Sequence, residues 1–318
     1  MNRTATTLSF RLLGMVLTVL VGAFAVFMVM KAAPGDPALV VLGQQATPEA
    51  VAAYHRLYHL DAPLLGQFWF WFSHALEGNF GSSLSIANGV PISELIGSRL
   101  PNTIFIGFYG LSLAVVVSLV MGTIAALRRG RIADTLATSV AVLGISMPDF
   151  WLSYMLIFAL ALGAGWFPSY GFVSPEQSLA GAVYSGFLPA VAISAPMSAV
   201  FARTLRAALV DVSDREFITV ARSFGFSEFF IFLQFVFRNA LIPYVTVIGL
   251  QIRYLLGGIV VIERIFGIPG LGSLMVDAAF GRDYPVVQAC AITFLAIVLS
   301  VNLLVDLVCT GLDPRRSH

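Results

Sequence analysis

The sequence predicts an all-α integral membrane protein with six transmembrane helices and both termini in the cytoplasm, and three observations predict it. Of 318 residues, 58% are hydrophobic and 11% charged, with a mean hydropathy of +0.89, far above what a solvated surface tolerates. Apolar runs near 10–30, 103–127, 132–167, 187–205, 243–262 and 286–309 each approach or exceed the roughly 20 residues that cross hydrocarbon. Arginines cluster after two of them: Arg128, Arg129 and Arg131 follow the second, and Arg203, Arg206, Arg215, Arg222 and Arg238 follow the fourth. Basic residues mark the cytoplasmic side of a span.

The first run makes residues 1–31 an N-terminal transmembrane helix; its apolar part exceeds the 7–15 residues usual in a cleaved signal peptide. Residues 32–91 read as an extracytoplasmic segment with short surface helices, where "WFWFSHALEGNFGSSL" supplies aromatic faces at the membrane surface. It is too small for an independent enzyme domain. His55 and His59 stand four apart, a spacing that suits a metal pair or simply two polar residues of a surface helix; without a third ligand nearby the second reading is preferred. "PISELIGSRLPNT" (91–103) alternates at helical spacing and is expected to form an interfacial elbow before the second span.

Residues 92–318 form the expected five-helix core. The third run is interrupted by Pro148 and Asp149 in "GISMPDFW", so it is one kinked helix or two short ones. Both arginine clusters must be cytoplasmic, so an even number of spans separates them. The run is therefore expected to be one long helix kinked at Pro148, with the fourth run as the return. Arg3, Arg11 and the terminal "DPRR" place both ends inside, leaving Lys31, Arg56, Arg99, Arg264 and Arg282 outside and Arg253 within the fifth span.

"DREFITVARSFGFSEFFIFLQFVFRNALIP" (214–243) is a charged interruption between the fourth and fifth spans, within a cytoplasmic loop at 206–242. Ser213 or Asp214 can cap a short helix there, Glu216 suits its first turn and Gly225 its end. Phe217, Val220, Ala221 and Phe224 recur at helical spacing. Such a helix either lies flat under the membrane or, with Glu216, Arg222 and Phe226 as a compact mixed surface, docks a soluble partner. Pro243 is expected to open the fifth span.

"TVARSFGFSE" followed by "RNALIP" resembles the cytoplasmic signature loop of ABC-importer permeases, in its dipeptide/oligopeptide/nickel branch. "PGDPA", "GNFGSSL", "SELIGSRLPNT", "GISMPDFWL", "GGIVVIERIFGIPGLGSLMVDAAFGRDYPVVQ" and "NLLVDLVCTGLDPR" agree with that branch along nearly the whole chain. The resemblance implies an importer-type permease in a bacterial inner membrane, forming half of a peptide pathway. It implies as partners a second homologous permease, two ATP-binding subunits, an extracytoplasmic substrate-binding protein and membrane lipid; a nickel or metal-chelate importer is the alternative. It implies coupling to the ATPase through Glu216, Ala221, Arg222, Gly225 and Phe226. This chain departs from the branch at Phe224, where Lys is common, and at Arg253 and Tyr254, where a pair of glycines is common.

Arg253 lies ten residues after Pro243, about 15 Å along a helix and thus near mid-membrane. Thr246, Gly249 and Gly257 are expected to share its stripe, facing the bundle interior or the pathway. Arg253 then either pairs with a carboxylate or carbonyls of a neighbouring span, or lines the pathway with Gln251 and Tyr254 and meets an anionic group of the cargo. The glycine-rich exit from this span leads to an outer gate with Glu263, Gly270 and Asp283, where Glu263 and Arg264 can pair with Asp283 or Arg282.

Several functions are set aside. The chain carries net charge +1, so nucleic acid is not an expected partner. Lys31, the sole lysine, follows no glycine-rich loop, so no ATPase motif is present, and ATP and Mg belong to partner subunits. Metalloprotease spacing and Gly-x-Ser-x-Gly are missing, so no catalytic residues are assigned, nor any cofactor or metal. Cys290 and Cys309 share one apolar run and form no disulfide framework. An ion-coupled secondary transporter is the remote alternative, but a self-sufficient carrier has no need of a docking helix.

Overall fold

The computed structural model describes residues 2–32, 36–43, 46–57, 59–87 and 89–312. Among them the chain is helical, with one isolated antiparallel bridge, Ser82 to Pro91, and no strand. The helices are α1 (Asn2–Ala32), α2 (Pro37–Leu42), α3 (Pro48–Leu57), α4 (Leu64–Leu76), α5 (Ile92–Leu127), α6 (Ile132–Ser146), α7 (Asp149–Leu156), α8 (Leu179–Ser185), α9 (Phe187–Ser213), α10 (Glu216–Ser223), α11 (Glu228–Ile231), α12 (Arg238–Phe266), α13 (Leu271–Phe280) and α14 (Tyr284–Leu312). π-helical turns at Ile157–Gly163 and Phe232–Phe237 extend α7 and join α11 to α12. Four stretches are long and apolar enough to cross a membrane, and up to six if each of two bent pairs counts as one span. The described apolar part of α1, Val16–Ala32, falls among the shorter apolar helices.

Three boundaries differ from expectation. The third run is not one kinked helix but α6 and α7, bent by 106°. Met147, ahead of the proline, is extended at φ −90°, ψ 125°, because the Pro148 ring disfavours the helical conformation in the residue before it. Pro243 does not open the fifth span: it lies inside α12, and the helical stretch starts at Glu228. Proline is tolerated inside membrane helices, and here a π turn at Phe232–Phe237 precedes the helix that contains it. Residues 92–103 form no separate elbow; they are the first turns of α5, which continues through Pro101.

The chain divides into two compact units, residues 1–102 with 269–299, and residues 103–268 with 300–318. In the first, Ile92 and Ile96 of α5 pack with Leu271, Leu274 and Ala278 of α13 and Val286, Ala289 and Cys290 of α14. A second cluster joins Ala23 and Phe27 of α1 to Phe68 and Phe72 of α4, with Phe24 and Phe68 edge to face at 5.2 Å. That geometry adds to the burial of the rings. α2, α3 and α4 are the short helices expected in segment 32–91, and α4 carries the aromatic run.

In the second unit α9 is the central helix: 67% of its apolar window is buried, against 22–28% for α5, the Glu228–Ile252 stretch and α14. Leu188, Ile193, Met197, Phe201, Leu205 and Leu209 lie fully inside. α5 approaches it closely at Gly122, where an added Cβ would sit 2.9 Å from the Ala202 carbonyl oxygen and 3.1 Å from Leu205 Cβ. Backbone cannot yield as a flexible side chain can. Gly122→Val is therefore expected to cost about 1–3 kcal/mol of stability, read as a lowered thermal midpoint of the purified protein in detergent. Gly257→Ala meets open space and is expected to leave the midpoint in place; equal behaviour of the two variants would refute the close contact.

Candidate functional site

The expected coupling loop at 206–242 is mostly helical: α9 runs to Ser213, and α10, α11 and the π turn follow. Neither Ser213 nor Asp214 caps α10. Arg215 stands at the N-cap without a side-chain bond, Ser213 Oγ donates back to the Leu209 carbonyl, and Asp214 accepts from Arg129 Nη1 at 2.7 Å. The caps were drawn to the end of α9 because that helix continues further than the apolar run suggested. Gly225 has φ +80°, the left-handed conformation that ends a helix and that side chains resist.

α10 has two apolar sides. Ile218 and Ala221 are buried in this unit, whereas Phe217, Val220 and Phe224 are exposed, Phe224 at 77%. Across the Gly225 turn, Arg222 donates to both Glu228 oxygens at 2.8 and 3.2 Å, bidentate geometry that fixes direction. The Ser227 side chain caps α11. Phe226 stacks on Phe230 at 5.3 Å, and Phe230 meets Phe235 edge to face at 6.0 Å, while Phe229 stands 75% exposed. The result is a short helix held by one side and presenting an open aromatic patch on the other. Of the residues expected here, Glu216, Arg222 and Phe226 stand at the surface, Gly225 shapes the turn, and Ala221 faces inward.

The base of this region is pinned by a carboxylate. Asp134, buried near the start of α6, accepts from Arg206 Nε at Oδ1 and from Nη2 at Oδ2, the latter at 2.7 Å, and from the Gly130 N–H at 2.9 Å. The pair joins the beginning of α6 to α9. No single-helix pattern in the sequence shows a pair formed across 72 positions.

On α12 the stripe left uncovered by the rest of the chain is Pro243, Thr246, Leu250, Tyr254, Gly257, Val261 and Arg264. Gly249 departs from the expected grouping, since Val305 of α14 packs against it. Gln251 is half-buried. Arg253 belongs to α12, but its side chain lies outside the described part of the structure. Tyr254 is 47% exposed, and its hydroxyl donates to Asp149 Oδ1 at 3.0 Å. Asp149 is buried at the first turn of α7.

The three residues expected at an outer gate are all buried. Glu263 accepts from Thr103 Oγ1 at 2.6 Å. Gly270 stands at the N-cap of α13, where its N–H donates to Ser273 Oγ at 3.0 Å. Asp283 Oδ2 accepts from Ser83 Oγ at 2.6 Å and from the N–H groups of Leu84 and Ser85 at 2.9 Å and Ile86 at 3.3 Å. Each holds its own unit together. Gly270 is buried, whereas Phe280 at the other end of α13 is 83% exposed.

His55 and His59 do not share a helical face, because α3 ends at Leu57 and His59 takes φ +54° in the following turn. His55 instead bonds Asp36 at 2.9 Å. Burial raises the Asp36 carboxyl, but the His55 and Ala38 hydrogen bonds and nearby Lys31 outweigh it, so it stays below its ordinary range.

Two family models cover most of the chain: "Binding-protein-dependent transport system inner membrane component" matches residues 118–318, and "Binding-prot-dependent transport system membrane comp, N-term" matches residues 6–106. The chain is 37% identical over 304 residues to the glutathione transport system permease protein GsiC of Escherichia coli (strain K12), covering 96% of each. It is 37% identical over 296 residues to the probable peptide ABC transporter permease protein y4tP of Sinorhizobium fredii, covering 93% of this chain and 94% of that one. Among solved structures, inward-facing MetNI methionine ABC transporter matches with TM-score 0.56 at 16% identity, over 69% of this chain and 96% of that chain. An amino acid ABC transporter matches with TM-score 0.54 at 16% identity, over 69% and 94%.

Proposed function

The chain belongs to the family of binding-protein-dependent transport system inner membrane components and is a permease subunit of an ABC importer; from that premise we propose that it forms half of a pathway for peptides. The relatives' names, glutathione and peptide transport permeases, support this cargo class. The single observation that carries the coupling role is α10, buried through Ile218 and Ala221 and open through Phe217, Val220 and Phe224. An exposed aromatic patch on a short, fixed helix suits insertion into a partner's cleft.

In this reading a second permease completes the pathway, two ATPase subunits bind ATP and Mg and supply the energy, and an extracytoplasmic binding protein delivers cargo. The chain itself contributes no catalysis. Glu216, Arg222 and Phe226 meet the ATPase, with Gly225 and Ala221 setting the helix in place. Gln251, Arg253 and Tyr254 line the pathway from α12. The family membership leaves the ion-coupled carrier without support.

The arginine distribution supports six spans, with 1–31 as the first, 32–91 outside, and both termini and α10 in the cytoplasm. A reporter fused after Ser223 is expected to behave as cytoplasmic and one fused at Ala46 as external, and the tagged chain is expected to retain an ATPase through purification. The reverse reporter pattern, or a chain that purifies without any nucleotide-binding partner under mild detergent, would overturn the proposal.

A further inference from the structure

Asp149 is a carboxylic acid within the third apolar run, and a side chain of that kind is expensive at membrane depth unless something uses it. Its burial is explained by its place: it begins α7 directly after the 106° break at Pro148, where the helix dipole favours negative charge. Its hydrogen-bonding is not explained by structure alone. Among the described side chains its hydrogen-bond partner is Tyr254, a neutral donor.

The cover is thin. Tyr254 is 47% exposed and stands on the uncovered stripe of α12. Next to it, an added Cβ at Gly257 meets nothing within 4 Å, while one at Gly258 would come 2.9 Å from Asp149 Oδ2. Glycine at 258 thus leaves room at the second carboxylate oxygen, and glycine at 257 leaves the approach open.

We propose that Asp149, screened by Tyr254, is a site in the pathway for the protonated amino group of the cargo. Once Tyr254 Oη releases Oδ1, Asp149 offers both carboxylate oxygens to a primary ammonium, which brings three donors. Two protein groups are too few for a dedicated Mg or Ca cage. The ring face adds attraction for a cation. Tyr254 hydroxyl then holds the place of the ammonium while the pathway is empty, and the two compete for one oxygen. This inference rests on the peptide reading, and gives it a chemical requirement: a free amino group.

The test is equilibrium binding by calorimetry to the membrane complex of permeases and ATPases in nanodiscs, without the binding protein, so that only the pathway is probed. Trialanine and N-acetyl-trialanine are the two probes. Wild type is expected to bind trialanine more tightly than the acetylated peptide. Asp149→Asn is expected to weaken trialanine by about tenfold or more, as for a lost hydrogen bond to a charged group, and to leave the acetylated peptide unchanged. Tyr254→Phe, which removes the competitor and keeps the ring, is expected to tighten trialanine a few-fold and likewise spare the acetylated peptide. Unaltered trialanine binding in Asp149→Asn overturns the site. So does equal weakening of both peptides, or an Asp149→Asn complex that fails to assemble together with Tyr254→Phe that binds as wild type, since these make the pair a structural tie. A wild-type complex that hydrolyses ATP but binds neither peptide removes the peptide reading itself, and this site with it.

Discussion

Asp283→Ala is expected to destabilise its unit by about 3 kcal/mol or more, because three backbone N–H groups and a hydroxyl lose a shared charged acceptor at once. The carboxylate is completely buried, and one oxygen, Oδ2, gathers Ser83 Oγ and the N–H groups of Leu84, Ser85 and Ile86. The turn that presents it is itself held tightly: Arg282 takes φ +57°, and a Cβ at Gly281 would come within 2.7 Å of Ile86. Without the acceptor, the loop around 83–87 has no replacement partner and is expected to open. Asp283→Asn keeps one acceptor oxygen and is expected to fall between wild type and the alanine variant, since Oδ1 has no hydrogen-bond partner to lose. Thermal unfolding in detergent and protease cleavage within 80–90 read the two effects. An alanine variant with wild-type melting and cleavage would show that the loop stands without Asp283.

Gly225→Val is expected to leave the chain in the membrane while reducing ATPase association and transport-linked ATP hydrolysis by about tenfold, the size of effect expected when a β-branched residue is forced into left-handed backbone at 1–3 kcal/mol. The local geometry supports a functional rather than a folding defect: no atom lies within 4 Å of a Cβ at this position, so the cost is backbone conformation alone. Redirecting the turn to relieve that cost is expected to separate Arg222 from Glu228, which bond across it. Gly225→Asn, which tolerates this region, is expected to retain most of the coupling. Co-purification with the ATPase and stimulated hydrolysis measure both variants; full association and hydrolysis in the valine variant would exclude this turn from the contact.

Much of this architecture was legible in the residues. Composition and the lengths of the apolar runs report directly on the solvent the chain must live in, so a helical membrane protein followed from them. Gly225 was recognisable because its requirement is local: a helix that turns back at once needs positive φ. The break at Pro148 was half legible. Proline announced an interruption, but how far it bends depends on Met147 becoming extended, and the arginine count alone favoured continuity. Pro243 misled for the complementary reason, since the helical stretch that starts at Glu228 continues through it and a proline inside a membrane helix carries the same local signal as one that opens it.

By itself, then, the sequence determined the solvent, the number and order of apolar stretches, the family and the place of the short charged helix, all of which rest on contributions summed along the chain. Only the tertiary structure decided which side of each helix is covered. Lipid tails are as apolar as a protein core, so an apolar stripe in a span does not say whether it faces the bundle or the bilayer; Phe217 outside and Ile218 inside, or Gly249 covered and Gly257 open, could not be told apart by periodicity. Polar pairs were equally invisible. Asp283 with Ser83 lies 200 positions apart, Glu263 with Thr103 160, and Asp149 with Tyr254 105. A buried carboxylate must find a donor, but the donor is whichever group the packing brings near, and no rule along one strand of sequence names it.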